Sequence, residues 1–131
     1  MAKTFKQMVA EAREQAEVIS PADAQKRVKE NPNTLVIDVR QSEEIASTGA
    51  VPGSMNIPLG VLPLRADTEL AENLREAKLQ DRSTPVITTC GGGGQAALAA
   101  KTLKEMGFTN VAIMDGGTRG WKEAGLPTEN K

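Results

Sequence analysis

The sequence predicts an α/β fold built on a parallel sheet, and three observations carry that prediction. Leu35-Val36-Ile37-Asp38-Val39, Pro85-Val86-Ile87-Thr88-Thr89 and Val111-Ala112-Ile113-Met114 are short runs rich in branched apolar residues, the pattern of strands buried on both faces. The segments around them place apolar residues three and four apart, which is the helical period. Strands alternating with helices imply right-handed crossovers and therefore parallel pairing. At 131 residues the chain suits one domain with one core, since domains commonly run ~100–200 residues.

Taken in order, Phe5, Met8, Val9, Ala12 and Ala16 predict an amphipathic helix over Met1 to Ala16. Ser20-Pro21-Ala22-Asp23 is a helix start, with Ser20 as N-cap, Pro21 at the first helical position and Asp23 placed for a capping box; that helix should end before Asn31-Pro32. After the strand at Leu35, Gln41 to Thr48 allows a short helix. Gly49 to Pro58 reads as a turn followed by an extended stretch at Met55-Asn56-Ile57. Asp67 to Leu79 is a helix candidate with Leu70, Leu74 and Ala77 on one face. The Ala-rich segment Gln95 to Met106 is the strongest helix, stopped by Gly107, and Thr118 to Ala124 is a last short one stopped by Gly125 and Pro127. Trp121, Met55, Met106 and Met114 read as core filler.

Composition removes whole classes of chemistry. The chain has no His, so Ser-His and Cys-His nucleophile pairs, HExxH zinc sites and an imidazole base are excluded. One Cys permits no internal disulfide, CxxC pair or cysteine zinc cluster, and no metal site or cofactor is expected. Lys plus Arg number 16 against 17 Asp plus Glu, a net charge of -1, and the aromatics are only Phe5, Phe108 and Trp121. Neither nucleic acid nor an anionic membrane is the expected partner. No apolar run approaches the ~18 residues of a membrane span, and the opening residues are amphipathic, so a cytoplasmic location is expected.

The chemistry concentrates in Thr89-Cys90-Gly91-Gly92-Gly93-Gly94-Gln95-Ala96, between a predicted strand and a predicted helix. In open parallel sheets ligands bind beyond the carboxyl ends of strands, where Cys90 falls. The loop feeds a helix N-terminus whose free N–H groups and dipole stabilise negative charge. Gly91, Gly92, Gly93 and Gly94 allow successive amides to turn inward without a Cβ in the way. The expected object is a thiolate in a cradle of amides. The plain alternative is a small buried Cys beside a flexible turn. A second alternative is a dinucleotide fingerprint, Gly91-x-Gly93-x-x-Ala96 with Asp115 further on, but only 16 residues follow Asp115, too few for the remaining strands. No Gly-Lys-Ser/Thr follows the glycines, which excludes a P-loop.

These residues resemble the single-domain rhodaneses, a family of sulfurtransferases. Leu35-Val36-Ile37-Asp38-Val39-Arg40 is similar to the family's first strand motif, Gly49 to Pro58 to its Gly-His-Ile-Pro-Gly-Ala-x-Asn-Ile-Pro stretch, Cys90 onward to its active loop, and Asp115-Gly116-Gly117 through Pro127 to its closing signature. The resemblance implies a five-stranded parallel sheet with helices on both faces over residues 18–131, residues 1–17 being a helical extension. It implies that Cys90 takes sulfur from thiosulfate or another sulfane donor, carries it as a persulfide, and passes it to cyanide, a thiol or a protein acceptor.

Two departures bear on substrate. Gln95 stands where the family commonly has Arg, and Ala50 replaces its His. A neutral Gln95 weakens the case for thiosulfate, because charge-assisted hydrogen bonds contribute ~1.5–3 kcal/mol against ~1 for neutral ones. Arg119 is the candidate replacement cation, with a solvated surface role as its plain alternative. Asp38 and Arg40 are expected near the same sheet edge in structural roles, Arg40 pairing for instance with Glu43 or Glu44. A phosphatase loop of the Cys-x5-Arg kind is disfavoured because Ala96 occupies its Arg position. The rival to catalysis is a rhodanese-like module that binds a protein, through the N-terminal helix if that helix docks.

Overall fold

The computed structural model describes residues 2–130; Met1, which the expected first helix included, and Lys131 lie outside the described residues. The elements are α1 (Phe5–Gln15), β1 (Glu17–Ile19), α2 (Pro21–Glu30), β2 (Leu35–Asp38), α3 (Ser42–Thr48), β3 (Met55–Asn56), α4 (Leu62–Ala66), β4 (Val86–Thr89), α5 (Gly94–Glu105), β5 (Val111–Met114) and α6 (Gly117–Glu123). The five strands form one sheet in the order β1-β5-β4-β2-β3, with every pair parallel. No helix among the described residues is long and apolar enough to cross a membrane.

Successive strand residues point to opposite faces, and the chain uses both. Ile37, Val86, Val111 and Ile113 pack with Ala12 of α1, Leu62 and Ala66 of α4, and Ala96, Ala97, Ala99, Ala100 and Leu103 of α5. On the other face Val36, Ile87, Ala112 and Met114 pack with Ala24 of α2 and Trp121 of α6. The Ala-rich face of α5 lets that helix lie close over the sheet centre, which fixes where its N-terminus meets the end of β4.

Helix starts follow local chemistry. Ser20 Oγ accepts from the Asp23 N–H at 3.1 Å, with Pro21 in the first turn of α2. α1 carries a full capping box, Thr4 Oγ1 accepting from Gln7 N–H at 3.1 Å and Gln7 Oε1 from Thr4 N–H at 2.8 Å, which sets Phe5 as its first residue.

The expected helix over Asp67 to Leu79 does not form. The N–H groups of Leu70 and Glu69 both donate to Asp67 Oδ2 at 2.7 Å, and these bonds hold the Asp67 carboxyl below its usual pKa range. Glu76 N–H goes to Arg65 O and Gln80 Nε2 to Asp67 O, so the segment satisfies its polar groups through distant partners and two 3-10 turns, Glu72–Leu74 and Ala77–Leu79. Leu70 and Leu74, on the face that the expected helix would bury, stay exposed, while Leu79 is buried.

At the carboxyl end of β2, Asp38 and Arg40 form a buried ion pair, with Arg40 Nε 3.0 Å from Asp38 Oδ1 and Nη2 2.7 Å from Oδ2. Arg40 also donates to Thr48 Oγ1 at 2.7 Å and Gly49 O at 3.1 Å, so one guanidinium joins β2, α3 and the following turn. The Asp38 carboxylate pushes the Arg40 pKa up against the opposing effect of burial. Replacing Arg40 by Met is expected to destabilise the protein by about 3–5 kcal/mol, because Asp38 would remain buried without its partner. Urea unfolding at neutral pH measures this, and an Arg40→Lys variant should recover only part of the loss.

Candidate functional site

Cys90 follows the last residue of β4 and is 3 % exposed. Its Sγ accepts from the N–H of Gly93 at 3.0 Å and of Ala96 at 3.4 Å. These are amides of the N-cap and first turn of α5, and Gly93 brings no side chain to cap that helix. The sulfur of Cys90 therefore takes the position a capping oxygen would hold, where the free amides and the helix dipole favour negative charge.

The loop keeps this orientation because its carbonyls are held from outside. Thr118 N–H donates to Cys90 O at 2.7 Å and Arg119 N–H to Gly91 O at 3.1 Å, both from the start of α6. Thr89 Oγ1 and Thr118 Oγ1 lie 3.1 Å apart beneath them, and Thr88 Oγ1 donates to Ala96 O at 2.8 Å. With the carbonyls turned outward, the amides of Gly93 and Ala96 turn toward the sulfur. Gly93, at φ +105°, is the one loop glycine whose backbone demands glycine.

The other predicted site residues distribute around this centre. Gly91, Gly92, Gly94, Gln95 and Arg119 line a cavity of ≈ 420 Å³ together with Cys90, Glu44 and Phe5. Arg119 arches over the loop, its Nη2 3.3 Å from where a Cβ on Gly92 would lie. Among the described residues its guanidinium has no ion-pair partner. Asp38 and Arg40 stand behind the loop, Arg40 Cδ lying 4.0 Å from a Cβ built on Gly91, and Arg40 pairs with Asp38 rather than with Glu43 or Glu44. A second cavity of ≈ 610 Å³ adjoins the first, sharing Glu44, Gly91 and Arg119 and adding Ser47, Thr48 and Lys122.

Two residues of this neighbourhood escaped the sequence reading. Gly117, read only as part of a turn, carries a position where a Cβ would lie 2.6 Å from Cys90 O and 2.9 Å from Gly93 N. Phe5, read as one member of an amphipathic stripe, is 56 % exposed beside the loop. A second glycine directly before a helix start was the available sign of the first; nothing local marked the second.

The rhodanese-like domain family model matches residues 20–124. A rhodanese domain-containing protein of Drosophila melanogaster is 35 % identical over 100 residues, covering 75 % of this chain and 90 % of its own length. Four further curated relatives are longer, this chain spanning 20–45 % of each, and three of them bear sulfurtransferase in their names. Among solved structures, a Rhodopseudomonas palustris protein described as of unknown function and "possible tyrosine phosphatase" is 32 % identical at TM-score 0.90, covering 98 % of this chain and 96 % of that one. The polysulfide-sulfur transferase homodimer of Wolinella succinogenes is 33 % identical at TM-score 0.77, covering 97 % and 88 %. Coverage that high takes in most of α1 as well as the sheet.

Gly117→Ala is expected to lower stability by about 2 kcal/mol or more, because the methyl would meet backbone on two sides at a positive φ. Thermal unfolding measures this, with Gly125→Ala as the comparison: it shares a positive φ but has nothing within 4 Å of the added carbon.

Proposed function

The chain belongs to the rhodanese-like domain family, and on that premise we propose that it is a sulfurtransferase working through a persulfide on Cys90. The observation that carries the reading is the pair of amide N–H groups, from Gly93 and Ala96, donating to Cys90 Sγ. In the first step the Cys90 thiolate attacks the outer sulfur of a sulfane donor. A new S–S bond forms, the donor's bond to that sulfur breaks, and the rest of the donor leaves with the electron pair as sulfite, sulfinate or thiolate. In the second step a cyanide or thiol acceptor attacks the outer sulfur and the Cys90 thiolate departs. Both enzyme forms carry negative charge on sulfur, and amides fixed before the reaction stabilise it without reorganisation. No imidazole is required.

Gly91, Gly92 and Gly94 line the donor's path to the sulfur while Gly93 gives its N–H to it, with Gln95 and Arg119 as the polar contacts at the cavity wall. Arg119 is the cation we assign to the donor's anionic end, in place of the Arg that Gln95 replaces. A polysulfide-transferring relative of 33 % identity supports a sulfane donor other than thiosulfate. A phosphatase reading is not supported, since residue Ala96 is buried and offers only its N–H, already given to Cys90.

Intact-mass spectrometry after brief exposure to thiosulfate, and separately to polysulfide, is expected to show one added sulfur that cyanide removes and that Cys90→Ser never acquires. No gain from any donor by folded, reduced protein would favour the protein-binding module instead. Steady-state kinetics with thiosulfate should show Arg119→Ala losing, and Gln95→Arg gaining, about tenfold in kcat/KM, the difference between a charged and a neutral contact.

A further inference from the structure

We infer that Phe5 of α1 selects the sulfur donor, favouring monoanionic sulfane compounds whose leaving group carries an apolar organic substituent; the inference rests on the sulfur-transfer reading of Cys90. Phe5 lines the Cys90 cavity from a helix that precedes the residues matched by the family model. Its ring seats against Gly94, where a Cβ would come within 2.9 Å of Phe5 Cζ and 3.0 Å of Cε2. Gly94 has ordinary helical backbone at the start of α5, so its lack of a side chain serves the seating of that ring rather than a turn.

The ring is held in place although it faces solvent. The Thr4–Gln7 capping box fixes the helix start immediately before it, Ala12 is fully buried about two turns on, and Arg13 Nη2 pairs with Asp115 Oδ1 at 3.3 Å beyond β5. The charged residues lining the cavity are one cation, Arg119, and one anion, Glu44. Arg119 can meet one negative charge on a donor, but a second would find no further cation on this lining and would face Glu44, whereas a single charge at Arg119 and an apolar body against Phe5 match both walls. With a thiosulfonate R–SO2–S⁻, Cys90 forms the new S–S bond, the donor S–S bond breaks, and R–SO2⁻ leaves with the electron pair.

The test measures kcat/KM for benzenethiosulfonate and methanethiosulfonate, with cyanide as acceptor, in the unaltered chain and in Phe5→Ala, Phe5→Leu and Phe5→Tyr. Comparing the phenyl-to-methyl ratio across variants cancels the intrinsic reactivity of the two donors. Phe5→Ala is expected to lower that ratio about three- to tenfold, the value of one aromatic contact, with Phe5→Leu intermediate and Phe5→Tyr close to the original. A ratio unchanged in Phe5→Ala and Phe5→Leu, including an equal loss with both donors, overturns the inference while leaving sulfur transfer standing. No sulfur on Cys90 of the unaltered chain from any donor overturns both.

Discussion

The docking of the α6 N-terminus onto the carbonyls of the Cys90 loop is the constraint from which the rest of the site follows. A peptide unit has two polar ends, and whichever faces inward decides whether the loop attracts or repels negative charge. Thr118 and Arg119 bind the Cys90 and Gly91 carbonyls from outside, leaving the Gly93 and Ala96 amides to the sulfur. That contact requires backbone against backbone, hence glycine at 117. It also explains why α6, with only 7 residues, is kept in register by a buried Trp121 whose Nε1 donates to Pro127 O at 2.7 Å.

A second restraint lies on the β2 side. The Asp38–Arg40 pair is costly to desolvate, and such pairs seldom add net stability over an apolar equivalent. What this one does is positional: together with Asn56 Nδ2, which donates to Asp38 O and Arg40 O, it aligns the ends of β2 and β3 with the start of α3. Glu44 on α3 thereby comes to line the cavity that Phe5 of α1 also borders. The cavity is thus assembled from α3, α5 and α6, which start beyond the carboxyl ends of β2, β4 and β5, and from α1, which precedes the first strand.

Most of this was legible in sequence because it depends on short-range pattern. Buried parallel strands read as apolar runs, α5 as an Ala-rich period closed by glycine, and the Cys90 loop as glycines between strand and helix. The failures share a cause. Asp67 has an Asx geometry that competes with helix, and Leu70 and Leu74 mimic an amphipathic face without being buried. Arg40 lies two residues from the carboxylate it binds, and sequence spacing alone did not favour Asp38 over the nearby Glu43 and Glu44. Gly117 and Phe5 depend on neighbours distant in sequence, and no local period encodes a long-range contact.

The chain's sole thiol is Cys90, buried in its cradle. Many thiol enzymes close their cycle by folding a modified cysteine into a bond with a second cysteine nearby, which protects the first and resets it. That exit does not exist within this chain. Whatever is bonded to Cys90 can be discharged only by a nucleophile entering from outside, through the opening that Phe5 and Arg119 border. Under the proposed sulfur-transfer reading, discharge of Cys90 therefore waits on the supply of that second molecule.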